Sequence, residues 1–456
     1  MSTPLSAAVV PGQWRQTGTG WEQLSAAEQE QVLAAGRRNW PAVHEKVPTY
    51  NDRWRPLRPI IMRRQSWAVL HELCGQVAGL ILQACQRRAR TAGELRRALG
   101  VAEGQIRLLD ENEVLSDELL ISSRPDILFA GGVPKFVEFN IDGALGGAFD
   151  SDNLAAAFAA IFEAEPGPPL YPPPSANAGR LATINGWLAD TPDRTVAMLM
   201  DWSVGHAGPS DPREFLKYLQ PVAEQATAAG FELIPFWLHL VERNDAGRLS
   251  VDGREVSHVW RMFVPDTAPR TPGRDAVEAV LQAGQLRCFT SSASWLLTNK
   301  LILAWLWADL PLLSPAEQQL VRAHIPHTAL ATAELAEELL ARPAAWVLKP
   351  AGGSSGRDVL IGRDSDADRW RAAVARAVSE GNFLAQELVD SDLLPMDFID
   401  IHTEEVMRLG VPCCFGPYQF GGQQCGGEVR MGFPGGGAVM NVDRGALVNG
   451  FSLIDR

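Results

Sequence analysis

The sequence predicts a mixed α+β and α/β fold with a helical N-terminal region, and three observations carry the mixed character. Residues 124–130 (RPDILFA) and 135–141 (KFVEFNI) read as neighbouring strands joined by Gly131-Gly132, a two-residue hairpin signal. Residues 194–200 (RTVAMLM), a helix over 212–229 and a strand over 231–236 (FELIPF) follow the strand, helix, strand order of an open parallel sheet, with 258–264 (HVWRMFV) as a further strand. Strands at 345–349, 358–362 and 383–388, with a glycine loop after the first and an amphipathic helix over 366–379, give a third unit that is not Rossmann-like.

The remaining elements follow from local chemistry. Ser25-x-x-Glu28 is a capping-box pattern opening an Ala, Gln and Leu-rich helix over 25–36, and residues 65–89 continue as a longer helix. Thr91 and Glu94 repeat the pattern before a short basic helix ending at Gly100, so residues 1–110 are expected to be mainly helical. After the hairpin, a glycine-rich turn with Asp150, Ser151 and Asp152 leads into an alanine-rich helix. PGPPLYPPP, residues 166–174, holds six prolines in nine residues and marks the clearest internal boundary. Helices over 296–309, after Ser314-Pro315 and after Thr332 precede the third unit. The expected division is 1–110, 111–165, 175–290 and 291–456.

Hydrophobic residues make up 46% of the 456 and charged residues 21%, with 14 Trp and 17 Phe, which is the composition of a globular protein with ample core material. A net charge of −13 argues against a nucleic-acid surface, because neutralising phosphates needs clustered Lys and Arg. Six cysteines show no CxxC pair and no zinc spacing, so buried free thiols in a reducing compartment are expected. The N-terminal MSTPLSAAVVPGQWRQ lacks a basic stretch followed by a long apolar core, and the richest apolar run, Leu301 to Ala308, is eight residues long. The expectation is a cytoplasmic protein with no membrane or nucleic-acid partner.

The chemistry concentrates in a few places. Side chains alternate along a strand, so Arg124 and Asp126 share one face of theirs, as do Glu138 and Asn140, and pairing across the turn can bring all four together. Their oxygens suit a hard divalent ion that keeps waters and phosphates in its shell, and the arginine suits a transferring phosphoryl group. Lys349-Pro350 ends a strand before Ala351-Gly352-Gly353-Ser354-Ser355-Gly356-Arg357, a loop whose main-chain N–H groups and hydroxyls can approach an anion; it is neither a Walker A nor a GxGxxG motif. Lys300 opens an almost wholly apolar helix, a costly place for a charge that meets no anion. In the strand 383–388, Gln386 or Glu387 is placed to contact a base or ribose. The segment 413–450 is glycine-rich and reads either as a closing loop or as a carrier of phosphate and substrate contacts, Arg430 and Asn441. His324 and His327 flank a proline and read as structural, and Asp126 with Glu138 as a glycosidase pair leaves the lysine-bearing loop unexplained.

Arg124-x-Asp126, Glu138-x-Asn140, Asn299-Lys300 through Leu303-x-x-Leu306-Trp307, Lys349-Pro350 with its loop, and Gln386-Glu387 together resemble the glutathionylspermidine synthase-like carboxylate–amine ligases, over about residues 120–390. The resemblance implies an ATP-grasp fold in circularly permuted order, with 111–165 and 291–456 as the nucleotide-binding core and 175–290 as a preATP-grasp-like substrate domain. It implies that Asp126, Glu138 and Asn140 hold Mg2+, that Arg124 faces the transferring phosphate, that Lys300 and Lys349 bind ATP phosphates, and that Gln386 and Glu387 line the adenine pocket. Members usually carry Gly-Arg-Glu-Gly after the Lys-Pro pair where this chain has GGSSGR, and no separate amidase domain is expected.

The implied activity is ATP-dependent amide or peptide bond formation between a small carboxylic acid and an amine through an acylphosphate, with the 351–357 loop excluding water and ADP and phosphate released. Asp150 and Asp152 are candidate contacts for a cationic amine, with helix capping as the alternative, and a carrier-protein-bound acceptor is compatible with the same chemistry. Composition fits a stand-alone ligase of small-metabolite or natural-product assembly. The competing expectations are a non-catalytic ATP-binding sensor or partner protein and a small-molecule kinase.

Overall fold

The computed structural model describes residues 20–46, 53–201, 212–353, 356–433, 440 and 445–455. Helix α1 (Ala26–Lys46) opens on the expected reciprocal cap, Ser25 N–H donating to Glu28 Oε2 and Glu28 N–H to Ser25 Oγ. Strands β1 (Trp54–Pro56) and β2 (Ile60–Arg63) then precede α2 (Arg64–Gln86) and α3 (Ala92–Ala98), the latter capped by Thr91 as its sequence predicts. The two short strands were not legible because their partners lie some 340 to 390 residues away: β1 pairs with residues 398–400 and β2 with 451–454. Helix α2 is also long and apolar enough by length and composition to cross a membrane, contrary to the expectation that no such run exists, but 67% of that apolar window is buried inside the protein. Its apolar surface is spent on the core.

β3 (Ser122–Ala130) and β4 (Val133–Ile141) form the expected hairpin, and Gly131 and Gly132 turn it with φ of 58° and 72°, a left-handed pair that glycine adopts without strain. The chain runs on through α4 (Ala148–Ala164) and α5 (Ala176–Trp187) to β5 (Thr195–Met200), α6 (Pro212–Tyr218), α7 (Gln220–Ala228) and β6 (Glu232–Trp237). The single helix expected over 212–229 is two, because Pro221 supplies no N–H to continue α6 and sits instead in the first turn of α7. A small antiparallel sheet of β7 (Glu242–Arg243), β8 (Leu249–Val251) and β9 (Arg254–Val256) leads to β10 (His258–Met262), α8 (Pro272–Gln282) and β11 (Arg287–Phe289). Strands β11, β10, β5 and β6 lie in that order and all run parallel.

The helix expected over 296–309 is split into α9 (Ser292–Leu296) and α10 (Leu301–Ala308), and Lys300 stands at the break. After α11 (Pro315–His324) come β12 (Thr328–Leu330), α12 (Ala333–Ala341), β13 (Trp346–Pro350), β14 (Leu360–Ile361), α13 (Ala367–Glu380) and β15 (Phe383–Glu387). These four strands pair in the order β12, β15, β13, β14. β16 (Leu393–Asp400) follows, the described residues of the glycine-rich 413–450 segment lie largely in β17 (Val406–Phe420), β18 (Gln423–Met431) and β19 (Leu447–Asn449), and β20 (Phe451–Ile454) closes the order. β3 pairs with β17, so the hairpin extends a seven-stranded sheet that also holds β1, β16, β18 and β19. The largest buried cluster joins α2, the hairpin, α9, α10 and β16 to β18, and the polar face of the hairpin lies opposite that core.

Candidate functional site

The hairpin register sets the site. Arg124 is paired with Asn140 and Asp126 with Glu138, after which a bulge intervenes and Ile127 pairs with Phe136. Strict alternation in KFVEFNI would put Phe136 on the same face as Glu138 and Asn140; the extra residue, Val137, flips that relation. Phe136, Phe139 and Ile141 are therefore all buried in the core, while Arg124, Asp126, Glu138 and Asn140 gather on the other face. The bulged Val137 offers its carbonyl to Lys349 Nζ at 3.4 Å.

β17 and β18 complete that face. Cys414 is paired with Arg430 and Gly416 with Glu428, so Glu428 and Arg430, two residues apart, point the same way. At Gly416 a Cβ would stand 3.0 Å from Arg124 Cδ, and its absence lets the arginine lie across the strand. Arg430 Nη2 meets Asp126 Oδ1 at 2.5 Å, Arg124 Nη1 meets Glu428 Oε1 at 2.7 Å, Arg124 Nη2 lies 3.9 Å from Asp126, and Arg430 Nε lies 3.5 Å from Glu428. Asn140 Nδ2 donates to Asp126 Oδ1 at 3.5 Å. Burial alone would raise the Asp126 carboxyl, but Arg430 and Arg124 beside it hold it below the usual carboxylate range. Cys414, whose thiol accepts from Arg430 Nη2 at 3.4 Å, is pushed up to about 12 by burial and then by Asp126, and stays a neutral thiol.

Both lysines converge here from the other side. Lys300 Nζ lies 3.0 Å from Glu138 Oε1 and donates to the Gly353 carbonyl at 2.8 Å, while its main-chain N–H donates to Ala351. The helix break between α9 and α10 and the start of the glycine loop are thus bound to each other at the carboxylates. Lys349 Nζ donates to Gln386 Oε1 at 2.6 Å, and Gln386 Nε2 donates to Thr328 Oγ1 at 3.0 Å. Burial lowers the Lys349 ammonium to about 8, an effect that Glu138 and Asp126 oppose and Lys300 reinforces.

The other expected site residues fall as follows. Gln386 is 2% exposed and held between Lys349 and Thr328, so it stands behind the lysine instead of facing open space. β15 lies between β12 and β13, and the N–H groups of Glu387 and Leu388 donate to His327 and Ala345; an adenine edge finds no free ladder there, while the Glu387 side chain is exposed. Gly352 is exposed, and Gly353 and Gly356 take φ of 100° and 65°; Ser354 and Ser355 lie outside the described residues, as does Asn441. Asp150 sits in the first turn of α4 against the Tyr218 hydroxyl, with its carboxyl raised by burial. Asp152 accepts from Ser175 Oγ and from the N–H groups of Ala176 and Asn177; it lies inside α4, the helix it was expected to lead into and cap, and its carboxylate holds the N-terminus of α5 instead. Glu428 and Tyr418 were missed. The signal was present in Glu428-x-Arg430, the same spacing of opposite charges as Arg124-x-Asp126.

Among the described residues no three His, Cys, Asp or Glu side chains are grouped to hold a metal by themselves. Magnesium does not ask for that, since it commonly takes one or two carboxylates and completes its shell with water and substrate phosphate. The carboxylates of Asp126 and Glu138 with the amide of Asn140 fit such a partial set, and the four cations around them fit the phosphates.

No protein-family model and no curated protein matches the chain. Among solved structures, a glutathione synthetase-like effector from Globodera pallida in its apo form aligns over 93% of this chain and 97% of its own, at 12% identity and a TM-score of 0.59. A putative gamma-glutamylcysteine synthetase from Methylobacillus flagellatus KT aligns over 82% and 87%, at 12% identity and a TM-score of 0.43. The ATP-grasp ligase PsnB with its minimal precursor aligns over 58% and 90%, at 16% identity and a TM-score of 0.30. Nearly end to end, the chain is similar in fold to the glutathione synthetase-like effector.

Proposed function

We propose that the protein is an ATP-dependent carboxylate–amine ligase on an ATP-grasp core of circularly permuted order, forming an amide or peptide bond through an acylphosphate. One observation carries the reading: Lys300 and Lys349, 49 residues apart, meet the Asp126/Glu138 hairpin within 3.0 and 3.4 Å of its Glu138 carboxylate and Val137 carbonyl, while Arg124 and Arg430 converge on the same face. Four cations stand around three carboxylates, Asp126, Glu138 and Glu428, and an amide, which leaves an excess of positive charge that matches a triphosphate to be gripped and neutralised.

In this reading Lys300 and Lys349 bind the nucleotide phosphates, and Arg124 and Arg430 face the phosphoryl group as it leaves ADP for the substrate carboxylate oxygen. The amine then attacks the acyl carbon, expelling phosphate and losing a proton. Asp126, Glu138 and Asn140 would hold Mg2+, whose bound charge offsets that of the phosphates. Gln386 acts through Lys349, and Glu387 lies beside the base or ribose. No protein nucleophile is used.

The deciding experiment screens carboxylic acids and amines for ADP release with mass detection of products. A ligase releases ADP and phosphate only with both co-substrates present; ADP with a stable phosphorylated product would make the protein a kinase, and nucleotide binding without any turnover would make it a sensor.

Lys349 gives this reading a pH signature. Free protein loses the Lys349 proton around the lowered value of about 8, and bound phosphate, by favouring the ammonium, restores it. Nucleotide binding should therefore take up a proton above that pH and weaken as pH rises. Calorimetric titration with MgADP at about pH 8.5, in buffers of different ionisation heat, should show net uptake in the wild type and none in Lys349→Met. Equal heats in all buffers would remove Lys349 from the phosphate site.

A further inference from the structure

The segment from Asp142 to Gly147, which joins the hairpin to α4, has four carbonyls pinned by side chains from four different elements. Ser122 Oγ donates to the Asp142 carbonyl at 2.6 Å, Trp260 Nε1 to Gly143 at 3.2 Å, Arg180 Nη2 to Leu145 at 2.8 Å, and the Tyr418 hydroxyl to Gly146 at 2.5 Å. Arg124 Nη1 also reaches the Gly146 carbonyl, at 3.4 Å. Gly147, with φ of 81°, packs so closely on Glu428 and Tyr418 that no side chain fits there. The course of this segment and the placement of Arg124 are therefore one geometric problem.

Arg180 is the unexpected member. It is 4% exposed, lies on α5, and its Nε is buried without a hydrogen-bond partner. Its guanidinium lies 4.5 Å from the Phe420 ring centroid and 5.1 Å from that of Trp260, and no carboxylate forms an ion pair with it among the described residues. Burial lowers its guanidinium to about 10, partly opposed by Tyr418 and Asp152. A buried arginine held by two rings and one carbonyl is costly as a pure fold element, since an apolar side chain would fill the same space without the desolvation penalty.

We propose that Arg180 is a positioning residue of the anion site, a planar fork clamped between Phe420 and Trp260 that fixes the Leu145 carbonyl and, through the Gly146–Gly147 turn, the placement of Arg124. The proposal rests on the assignment of Arg124 to the transferred phosphoryl group, and it predicts that Arg180 acts on that half of the site and not on the lysine half. Lysine cannot replace it, having neither the flat face nor the fixed fork.

The test uses the full chain with two probes, MgADP for the lysine half and inorganic phosphate, in the presence of MgADP, for the arginine half. Arg180→Met is expected to keep MgADP affinity and thermal midpoint while weakening phosphate by about tenfold or more, as a small misplacement of a binding group does. Arg180→Lys should behave like Arg180→Met. Tyr418→Phe, which removes one hydroxyl from the other side of the same turn, should weaken phosphate in the same direction and remains informative if Arg180→Met fails to fold. Full phosphate affinity in Arg180→Lys would reduce the role to charge and overturn the proposal, as would equal losses for both probes. Wild-type protein that binds neither probe would overturn the nucleotide-site reading itself; wild-type protein that binds both, with every variant unchanged, would sink the positioning role alone.

Discussion

On the proposed ligase reading, Glu138→Ala should remove nearly all ADP-forming turnover, a loss of about 10²-fold or more, while the fold survives. Two effects act together. The substitution removes one of the two hairpin carboxylates that fit magnesium, and it strips Lys300 Nζ of its 3.0 Å partner, leaving that ammonium hydrogen-bonded, among the described residues, to the Gly353 carbonyl. The Lys300 side chain is 7% exposed, so its charge is poorly screened, but Glu138 is 22% exposed and the pair falls short of a fully buried one. The stability loss should therefore be about 1–3 kcal/mol, below the cost of orphaning a deeply buried charge. Freed from Glu138, Lys300 is also expected to sit differently over the loop that starts at Ala351. Coupled ADP release and urea melts of the same samples separate the two effects. A protein that only senses nucleotide would instead keep its binding apart from the magnesium-linked part, and a variant with more than about a tenth of wild-type turnover would remove Glu138 from the chemistry.

The outline of this site was legible because its local patterns are strong. Arg124-x-Asp126 and Glu138-x-Asn140 need only strand periodicity and a Gly-Gly turn, and Lys300 and Lys349 stand out as charges beside apolar stretches. What the sequence hid is what depends on distant partners. Strands β1 and β2 are three and four residues long and exist because the C-terminal strands accept them. The 413–450 segment reads as a closing loop because its glycines are taken as turn formers, whereas Gly416 lies inside a strand where a side chain would meet Arg124. That misjudgement concealed Glu428, which needs β18 to be a strand before it can share a face with Arg430. The bulge at Val137 was hidden for a similar reason: nothing in KFVEFNI announces it, and it appears only because Phe136 and Phe139 are both wanted by the core. Gln386 stands behind Lys349 instead of facing open space, and its bond to that lysine depends on β13 and β15 being neighbours, a pairing across 37 residues.

Arg261→Met should be the most destabilising single change at the site's periphery. Arg261 on β10 and Asp142 at the exit of the hairpin are 1% and 2% exposed, and they meet through two bonds, Nη2 to Oδ2 at 2.6 Å and Nη1 to Oδ1 at 3.1 Å. The same guanidinium holds the carbonyls of Phe263 and Ser291, so it ties the parallel sheet, the hairpin exit and the start of α9 to one point. Methionine fills much of the volume but leaves the Asp142 carboxylate buried with, among the described residues, the Ala144 N–H as its remaining partner, and orphaning one member of such a pair costs about 3–5 kcal/mol. Asp142→Asn in the same background removes the stranded charge and should recover part of that loss, giving a double-mutant coupling of about 1–3 kcal/mol. Because Asp142 begins the segment that Arg180 and Tyr418 pin further along, the single variant should also loosen inorganic phosphate binding, which the double variant restores only in part. Urea melts of the wild type, both single variants and the double variant read the coupling directly. Additive losses would mean that the two residues act independently, and the bidentate contact between the sheet and the hairpin would then contribute nothing of its own to holding the site in register.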